Sequence, residues 1–355
     1  MTEDRWFEWV YRSGAVLHCR RCQERLLLYA SFSMSDILLS ELPPADVAWL
    51  HEVGDERRLA KGDVLIDPRR RLDCLYVLLS GELSVLQPDS FLAGAAAHEI
   101  ARLETGELLG ESWLFGIEPV AAVTATAASR VLAISRQRLA DRLGGDPGFS
   151  AHFYRVLAML TSERLRRIFE DPQAVCYGSS QTVKEALAVF GELRDTDMAW
   201  MLSVGTVEKL DAGQVLLLSG QPVDVFYMVL DGQLAIAATP TQVLAYISRG
   251  GLPGIISFID FQPLPVTIRA VKTARVFAIP RPNILIQLQE DQVFAARFYR
   301  LVATQLASLL RAVVAGLGSG QEELEGELDL ESLQQLCHSG TKFDWMLRQL
   351  GVGCG

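Results

Sequence analysis

Two stretches of the chain repeat each other at a constant spacing. LAKGDVLIDPRRRLDCLYVLLSGELSVL (59–86) aligns with LDAGQVLLLSGQPVDVFYMVLDGQLAIA (210–237), and Gly62, Tyr76 and Gly81 each meet the same residue type 151 positions later. Both stretches alternate short runs of Val, Leu, Ile and Tyr with glycine at the corners, which is typical of antiparallel strands joined by tight turns. The chain is therefore predicted to contain two similar β-rich modules.

A helical pattern follows each β-rich module. PGFSAHFYRVLAMLTSERLRRIFE and QVFAARFYRLVATQLASLLRAVVAG share a Phe-Tyr-Arg triplet, 145 positions apart. Phe153, Leu157, Leu160 and Leu165 lie close to helical spacing and predict one apolar stripe. The stripe can pack within the chain, or it can form the seam of a homodimer.

Two short helices are predicted before the first module, in SMSDILLSELPPADVAWLHEVG. Ser33 or Ser35 is the expected N-cap of the first helix, Pro43 and Pro44 separate the two, and Asp46 is the expected cap of the second. VKEALAVFGELRDTDMAWMLSVG fills the same place before the second module. The order of helices, strands and helix thus occurs twice.

Composition narrows the class of protein. The 355 residues are enough for two domains, and 50% of them are hydrophobic, yet no apolar run approaches the roughly 20 residues of a membrane span. The N-terminus shows no secretory pattern, and the six cysteines form no disulfide framework. A soluble, cytoplasmic protein is expected.

The C-terminal segment is acidic and does not resemble a DNA-binding domain. From residue 316 onward seven acids face only Lys342 and Arg348, within a chain of net charge −10, so this segment would be repelled by nucleic acid. TKFDWMLRQLG predicts one amphipathic helix that docks back on the domains or binds a partner protein; its apolar residues are Phe343, Trp345, Met346 and Leu350.

The motifs KGDVL and AGQVL, YVLLSGEL and YMVLDGQL, and the strand endings LAI and FAI resemble the cyclic nucleotide-binding domain. This is the jelly-roll module of catabolite-activator-type regulators, kinase regulatory subunits and some channels. The resemblance covers roughly residues 40–170 and 190–315. It implies a mainly β fold with flanking helices: two domains of the β-barrel or jelly-roll type in tandem, each followed by a C-terminal helix.

The expected domain boundaries follow from this alignment. Residues 1–32 are an N-terminal accessory helix or extension, 33–172 the first domain and 180–316 the second domain. Residues 317–355 are an acidic linker followed by the short amphipathic tail helix.

In the family a Gly-Glu pair opens a short helix toward the cyclic phosphate, the Glu contacts the ribose, and an Arg pairs with the phosphate. The first cassette, LLGESWLFGIEPVAAVTATA, keeps the Gly-Glu pair but has no Arg at the expected place. Glu111 is either the ribose contact or an acid that stabilises the start of the helix. The candidate residues are Gly110, Glu111, Ser112, Pro119 at the Arg position, Val120 and Ala121.

The second cassette, LPGIISFIDFQPLPVTIRA, has lost both charged contacts. Gly254 keeps the turn, Ile255 replaces the Glu, Leu264 replaces the Arg, and Thr267 keeps a hydroxyl near the ligand position. Arg269 remains open as a substitute cation or as a solvated strand residue. This pocket is predicted to be an apolar cup, kept for packing or for a different ligand.

Other chemistry finds little support. A cupin-type metal enzyme needs clustered histidines, and the five present are scattered: His18, His51, His98, His152 and His338. Cys19 and Cys22 form a C-x-x-C pair that indicates free thiols, with metal binding or redox chemistry as alternatives.

The DPRRR segment sets Arg69, Arg70 and Arg71 in a row. It is interpreted as a solvated turn or as a patch that recruits phosphate.

The resulting hypothesis is a non-enzymatic regulatory or adaptor protein with a partly retained first pocket and a degenerate second one. The alternative is a genuine cAMP or cGMP sensor that controls a partner through the helix after each barrel. No cofactor is certain; cAMP or cGMP is the ligand that the resemblance implies. Expected partners are a protein bound through the tail or the post-barrel helices, or a second copy, with no DNA and no membrane span.

Overall fold

The computed structural model describes residues 41–86, 99–116, 119, 121–170, 191–316 and 341–352. The predicted N-terminal extension with Cys19 and Cys22, the caps at Ser33 and Ser35, and the acidic linker lie outside the described residues. Within them, two units with the same order of elements follow each other.

The first unit is built from antiparallel strands in two open four-stranded sheets. The sheets have the orders β1-β8-β3-β6 and β2-β7-β4-β5. Its elements are α1 (Pro44–Val53), β1 (Asp55–Leu59), β2 (Val64–Ile66), β3 (Cys74–Ser80), β4 (Leu83–Leu86), β5 (Glu99–Leu103), β6 (Leu108–Leu109), the 3-10 helix η1 (Glu111–Phe115), β7 (Ala122–Ala125), β8 (Ser129–Ser135), α2 (Arg136–Gly145) and α3 (Pro147–Glu170).

The second unit repeats this plan with sheets of the orders β11-β15-β9 and β10-β14-β12-β13. Its elements are α4 (Asp195–Val204), β9 (Thr206–Leu210), β10 (Val215–Leu217), β11 (Val225–Asp231), β12 (Leu234–Thr239), β13 (Gln242–Ile247), α5 (Ile255–Asp260), β14 (Thr267–Ala270), β15 (Ala274–Pro280), α6 (Arg281–Glu290) and α7 (Gln292–Gly316). The prediction of two tandem jelly rolls with flanking helices is confirmed, as sandwiches of open sheets rather than closed barrels.

Strand alternation divides the apolar side chains of the first unit between two cores. In β3, Cys74 and Tyr76 lie between the two sheets, whereas Leu75 and Val77 face the helices. The helix-side core continues without interruption into the second unit. The two units therefore share buried apolar surface.

Helix α1 begins at Pro44, but its predicted cap is wrong. Pro43 is the N-cap, and no side chain caps the helix. Asp46 lies in the first turn, is buried, and sits 3.0 Å from His152 Nδ1 on α3. In the second unit Asp197 holds the equivalent place and makes two 2.7 Å hydrogen bonds with Arg297. In each unit, an acid in the first turn of the helix before the strands thus bonds to the long helix after them.

The apolar stripe of α3 packs within the chain, chiefly against α7 of the other unit. Phe153, Leu157, Leu160 and Leu165 are all buried. The contact is reciprocal, because α5 also packs on α3 and η1 packs on α7. Each of the long helices α3 and α7 thus contacts the short helix, η1 or α5, of the other unit.

The tail helix α8 (341–349) docks back on the second unit. Phe343, Met346 and Leu347 are fully buried, while Trp345 faces solvent. Arg249 donates to Asp344 at 2.7 Å and lies 4.9 Å from the centre of the Phe343 ring. Of the two roles left open by the sequence, the structure shows docking in cis.

Candidate ligand-binding cassettes

The turn that opens the first cassette is present. Gly110 has a left-handed φ of 81°, and a Cβ at this position would lie 2.9 Å from the Cys74 carbonyl oxygen. Only glycine meets both conditions without strain. The 3-10 helix η1 follows directly, and Gly116 is its C-cap. The sequence therefore located the turn and the short helix correctly.

Glu111 is engaged by a side chain from α3. Arg164 Nη1 donates to Glu111 Oε1 at 2.6 Å, and Nη2 of the same guanidinium donates to the Leu108 carbonyl. The side chains of Glu111 and Arg164 are 15% and 18% exposed, respectively, so water screens this pair only weakly. Glu111 is thus the first residue of η1, and its carboxylate has a cationic partner within the chain.

The rest of the first cassette is short of polar partners. The Ser112 hydroxyl and the Trp113 indole N–H are buried, with no hydrogen-bond partner among the described residues. Pro119, at the position of the family's Arg, is partly exposed, as is Ala121, whereas Val120 lies outside the described residues. At position 119 the cassette thus offers no positive charge to a phosphate.

The second cassette has the same opening turn and a more buried helix. Gly254 has φ 78°, and a Cβ there would lie 2.4 Å from Leu217. Helix α5 is one residue longer than η1, and every residue from Ile255 to Ile259 is buried. Its C-cap is Phe261, which takes a left-handed φ of 59° where the first cassette has Gly116.

The remaining predicted residues of the second cassette serve the fold. Leu264 is 2% exposed, and its backbone makes hydrogen bonds with Gly220 and Gln221 in the preceding loop. Thr267 Oγ1 accepts from the backbone N–H of Ser219 at 3.3 Å. Arg269 donates to the Pro240 carbonyl at 3.1 Å, in the turn between β12 and β13. Its guanidinium is thereby held by a hairpin turn.

Arg281 is a buried cation beneath the second cassette that the sequence analysis missed. It donates to the carbonyls of Val223 and of Ser257, the latter at 3.1 Å. Its guanidinium lies 4.6 Å and 4.3 Å from the ring centres of Phe258 and Phe261. Burial lowers the pKa of Arg281, opposed by nearby acids. This side chain ties the cassette helix to the loop before β11.

A buried ion pair joins the second cassette to the first domain. Arg166 on α3 donates to Asp260 Oδ2 at 2.7 Å, and the two side chains are 7% and 10% exposed. Ser162 Oγ donates to the Ile256 carbonyl at 3.2 Å. Burial raises the pKa of the Asp260 carboxyl, and the charge of Arg166 opposes that rise. The acid ends the cassette helix at the interface between the domains.

Helix α3 therefore forms ion pairs with both cassettes. Arg164 and Arg166, two positions apart on α3, pair with Glu111 and Asp260 respectively. The only signal in the sequence was the basic cluster in SERLRRIFE, which reads equally well as a solvated helix face.

The described residues also bear on the other predicted chemistry. Across them, no three His, Cys, Asp or Glu side chains come together as a metal site. None of the helices in these ranges has an apolar stretch sufficient to cross a membrane. The single described segment after α7, residues 341–352, carries one short helix and no helix-turn-helix.

Comparison with known proteins gives the family. The family model "Cyclic nucleotide-binding domain" matches residues 56–144 and 207–291. The chain thus carries two domains of the cyclic nucleotide-binding domain family in tandem. Comparison with curated proteins finds no match.

Solved structures add three similar chains. The regulatory domain of Toxoplasma gondii PKA crystallised with cAMP is 16% identical over 73% of this chain and 91% of its own, with a TM-score of 0.27. An N-terminal domain of a transcriptional regulator from Streptomyces coelicolor is 26% identical over 38% and 91%, at 0.31. The catabolite activator protein of Thermus thermophilus is 22% identical over 44% and 70%, at 0.31.

Proposed function

We propose that the protein is a non-enzymatic regulatory or adaptor protein, built on two cyclic nucleotide-binding domains whose cassettes are held by the chain itself. The observation that carries the proposal is the pairing of Arg164 with Glu111 and of Arg166 with Asp260. In each cassette an acid of the short helix, Glu111 at its start and Asp260 at its end, already has an internal cationic partner.

The energetics of a phosphate ligand support the same conclusion. A cyclic phosphate that is desolvated without a counter-cation costs several kcal/mol. Positions 119 and 264, where the family has its Arg, hold Pro and Leu. Arg281, a buried cation of the second domain, already donates to two backbone carbonyls and lies against two aromatic rings. The second pocket is therefore proposed to be degenerate and structural.

An adaptor of this kind binds its partner through the outer surface of the domains rather than through the pockets. The shared core and the buried ion pair between α3 and α5 make the two domains one body on which a protein partner docks. The cytoplasm is the proposed compartment, because Cys74 is a buried free thiol and the six cysteines are scattered along the sequence without a disulfide pattern.

The second candidate, a cyclic-nucleotide sensor, is favoured by one observation. The first cassette keeps Gly110 and Glu111, and no side chain caps the start of η1. A ribose that takes Glu111 would release Arg164 from its ion pair. Because Arg166 lies two residues further along α3, that release would reach the second cassette through the same helix.

Calorimetric titration of cAMP and cGMP into the intact chain tests the proposal. Glu111→Gln and Glu163→Gln are titrated in parallel, since Glu163 is an acid on α3 that pairs with Arg167 on the same helix. Flat titrations for all three proteins are the expected result. Saturable heat that Glu111→Gln abolishes and Glu163→Gln preserves would overturn the adaptor proposal and establish the first domain as a sensor.

A further inference from the structure

The tail helix α8 is a complete amphipathic unit. Phe343, Met346 and Leu347 stand at positions i, i+3 and i+4 and are all buried, so they form one apolar face. Beyond the helix, Gly351 takes a left-handed φ of 67°, and the Val352 backbone N–H donates back to the Leu347 carbonyl at 2.9 Å. Helices commonly end with this hydrogen bond at a glycine. The sequence of the tail thus specifies both the buried face and the end of its helix.

The tail helix depends on the second unit for its stability. It spans residues 341–349, and isolated helices of fewer than about 12–15 residues are marginal in water. Its buried side chains belong to the same continuous core as those of the second unit. Residues 317–340 join it to α7 and contain six acids and no Lys or Arg. The tail thus binds its own chain as a peptide binds a receptor, at an effective concentration on the order of millimolar.

Two polar contacts fix the direction of the tail helix on its site. Arg249, in the turn after β13, donates to Asp344 at 2.7 Å and lies 4.9 Å from the centre of the Phe343 ring. Lys342 donates to the Leu193 carbonyl, just before α4, also at 2.7 Å. The basic and the acidic residue that flank Phe343 therefore contact different elements of the second unit. A helix with these two charges exchanged would meet Arg249 with a like charge.

The arginine of this site is a property of the second unit. Gly106 and Gly250 occupy equivalent turns, with left-handed φ of 90° and 84°. Each donates its backbone N–H to the preceding long strand, β3 or β11. The residue before the glycine is Thr105 in the first unit and Arg249 in the second. Because the turn forms without a cation, Arg249 is not needed for the fold of the turn, and its observed contacts are with the tail.

The site reaches the contact between the two domains. Glu192 precedes Leu193, and burial raises the pKa of its carboxyl while the charges of Arg300 and Lys342 oppose that rise. Arg300 on α7 pairs with Glu192 at 3.1 Å, and its guanidinium carbon lies 5.8 Å from the centre of the Tyr154 ring on α3. A helix bound at the tail's site is therefore one ion pair away from the contact of α7 with α3.

We propose that this site recognises short amphipathic helices: the tail occupies it in the free protein, and a helix of the partner protein replaces the tail in the complex. An empty site would expose the apolar surface that α8 covers, so exchange of helices is favoured over simple release. The partner's helix carries a Phe flanked by a basic and an acidic residue, with large apolar residues three and four positions after the Phe. The proposal rests on the adaptor function and specifies its surface and its partner's chemistry.

The test frees the site by cutting the chain. A protease recognition sequence is inserted at Gly318-Ser319-Gly320, and a fluorescent peptide of residues 339–353 is titrated into intact and cleaved protein. Fluorescence anisotropy is expected to show binding to the cleaved protein at least about tenfold tighter than to the intact one, because cleavage removes the effective concentration of the tethered tail. Absence of binding to the cleaved protein, or equal affinity for both forms, overturns the proposal.

Peptide variants test whether the site reads the charges. The Asp344→Lys peptide should bind the cleaved protein about tenfold or more weakly, and should regain affinity for cleaved Arg249→Glu. The Gln349→Lys peptide is the matched control, since it places the same side chain at an exposed position and should bind within about twofold of the unmodified peptide. Equal losses for the two peptides, or no recovery in Arg249→Glu, overturn the proposal.

The outcome is separable from that of the nucleotide titrations. Nucleotide binding by the first cassette would overturn the adaptor function without changing the affinity ratio of the peptide for cleaved and intact protein. Failure of the peptide experiments would remove this surface and leave the adaptor function with a different one.

Discussion

The two cassettes open with the same backbone turn but differ in the contacts that stabilise the short helix after it. The first has a 3-10 helix with partly exposed residues and an ion pair of intermediate burial. The second has an α-helix whose apolar residues are all buried, and an ion pair that is almost inaccessible to water. The same turn can therefore open a partly exposed helix or a helix that is packed into the interface between the domains.

Removing the cation that pairs with the second cassette is expected to have the largest effect. Arg166→Ala leaves Asp260 buried and unpaired, which should lower the free energy of unfolding by about 3–5 kcal/mol. Denaturant unfolding of Arg166→Ala and of the double variant with Asp260→Ala measures the coupling. The double variant should recover part of the loss, because no lone charge remains.

Arg167→Ala is the control for that measurement, since its side chain is largely exposed on the same helix. Its effect should stay within about 0.5 kcal/mol. Equal losses for Arg166→Ala and Arg167→Ala would show that the ion pair does not distinguish the second cassette from ordinary helix surface.

The next effect is expected from returning the family's arginine to each cassette. Leu264→Arg places a cation in a fully buried site and should cost about 3 kcal/mol or more. Pro119→Arg adds the same side chain at a partly exposed position and should change stability by less than about 1 kcal/mol.

Thermal unfolding of both variants, followed by cAMP titration, measures this contrast. Only Pro119→Arg is expected to gain measurable cAMP binding, because the second cassette also lacks the acid. Equal tolerance of arginine at the two positions would remove the structural distinction between the cassettes.

The fold and the positions of the cassettes could be predicted from the sequence, because both depend on local patterns. Repeated glycine corners and alternating apolar runs fix strands and turns, and Gly110 and Gly254 can be aligned by position alone. The partners of the cassettes could not be predicted in the same way. Arg164, Arg166 and Arg281 reach them from elements tens of residues away.

Such long-range pairs depend on how each helix is rotated about its axis and on the packing of one domain against the other. No spacing rule within one helix specifies either quantity. Asp46 shows the same limit: it precedes a helix in a manner typical of a cap, but its partner is His152, about one hundred residues later.

A smaller loss is expected from Glu111→Gln. The variant replaces the carboxylate by an amide, which removes the ion pair but can still accept from the charged Arg164, and Arg164 keeps its bond to the Leu108 carbonyl. A loss of about 1–2 kcal/mol is expected in urea unfolding, since bonds to charged groups contribute in that range. Glu163→Gln should stay within about 0.5 kcal/mol. A loss as large as that of Arg166→Ala would make the two cassettes energetically alike.

The smallest effect concerns Glu107, next to the first cassette, where the second domain has Gly251. Glu107 is buried, and its Oε2 has no hydrogen-bond partner among the described residues. Burial raises its pKa above the ordinary 4.5, with Arg164 and Arg167 opposing the rise. The folded state therefore binds more protons than the unfolded state as pH climbs through and above 4.5, and this residue's contribution to stability falls with rising pH.

Glu107→Gln removes that dependence and should raise the free energy of unfolding near neutral pH by up to about 1 kcal/mol. Urea unfolding of the wild type, Glu107→Gln and the exposed control Glu104→Gln, at several pH values from 4.5 upward, checks the sign. The difference between Glu107→Gln and wild type should grow as pH rises, while Glu104→Gln follows the wild type. A difference that shrinks with rising pH would mean that Arg164 stabilises the Glu107 charge more than burial penalises it. Arg164 would then hold two acids of the first cassette region, against one acid for Arg166 in the second.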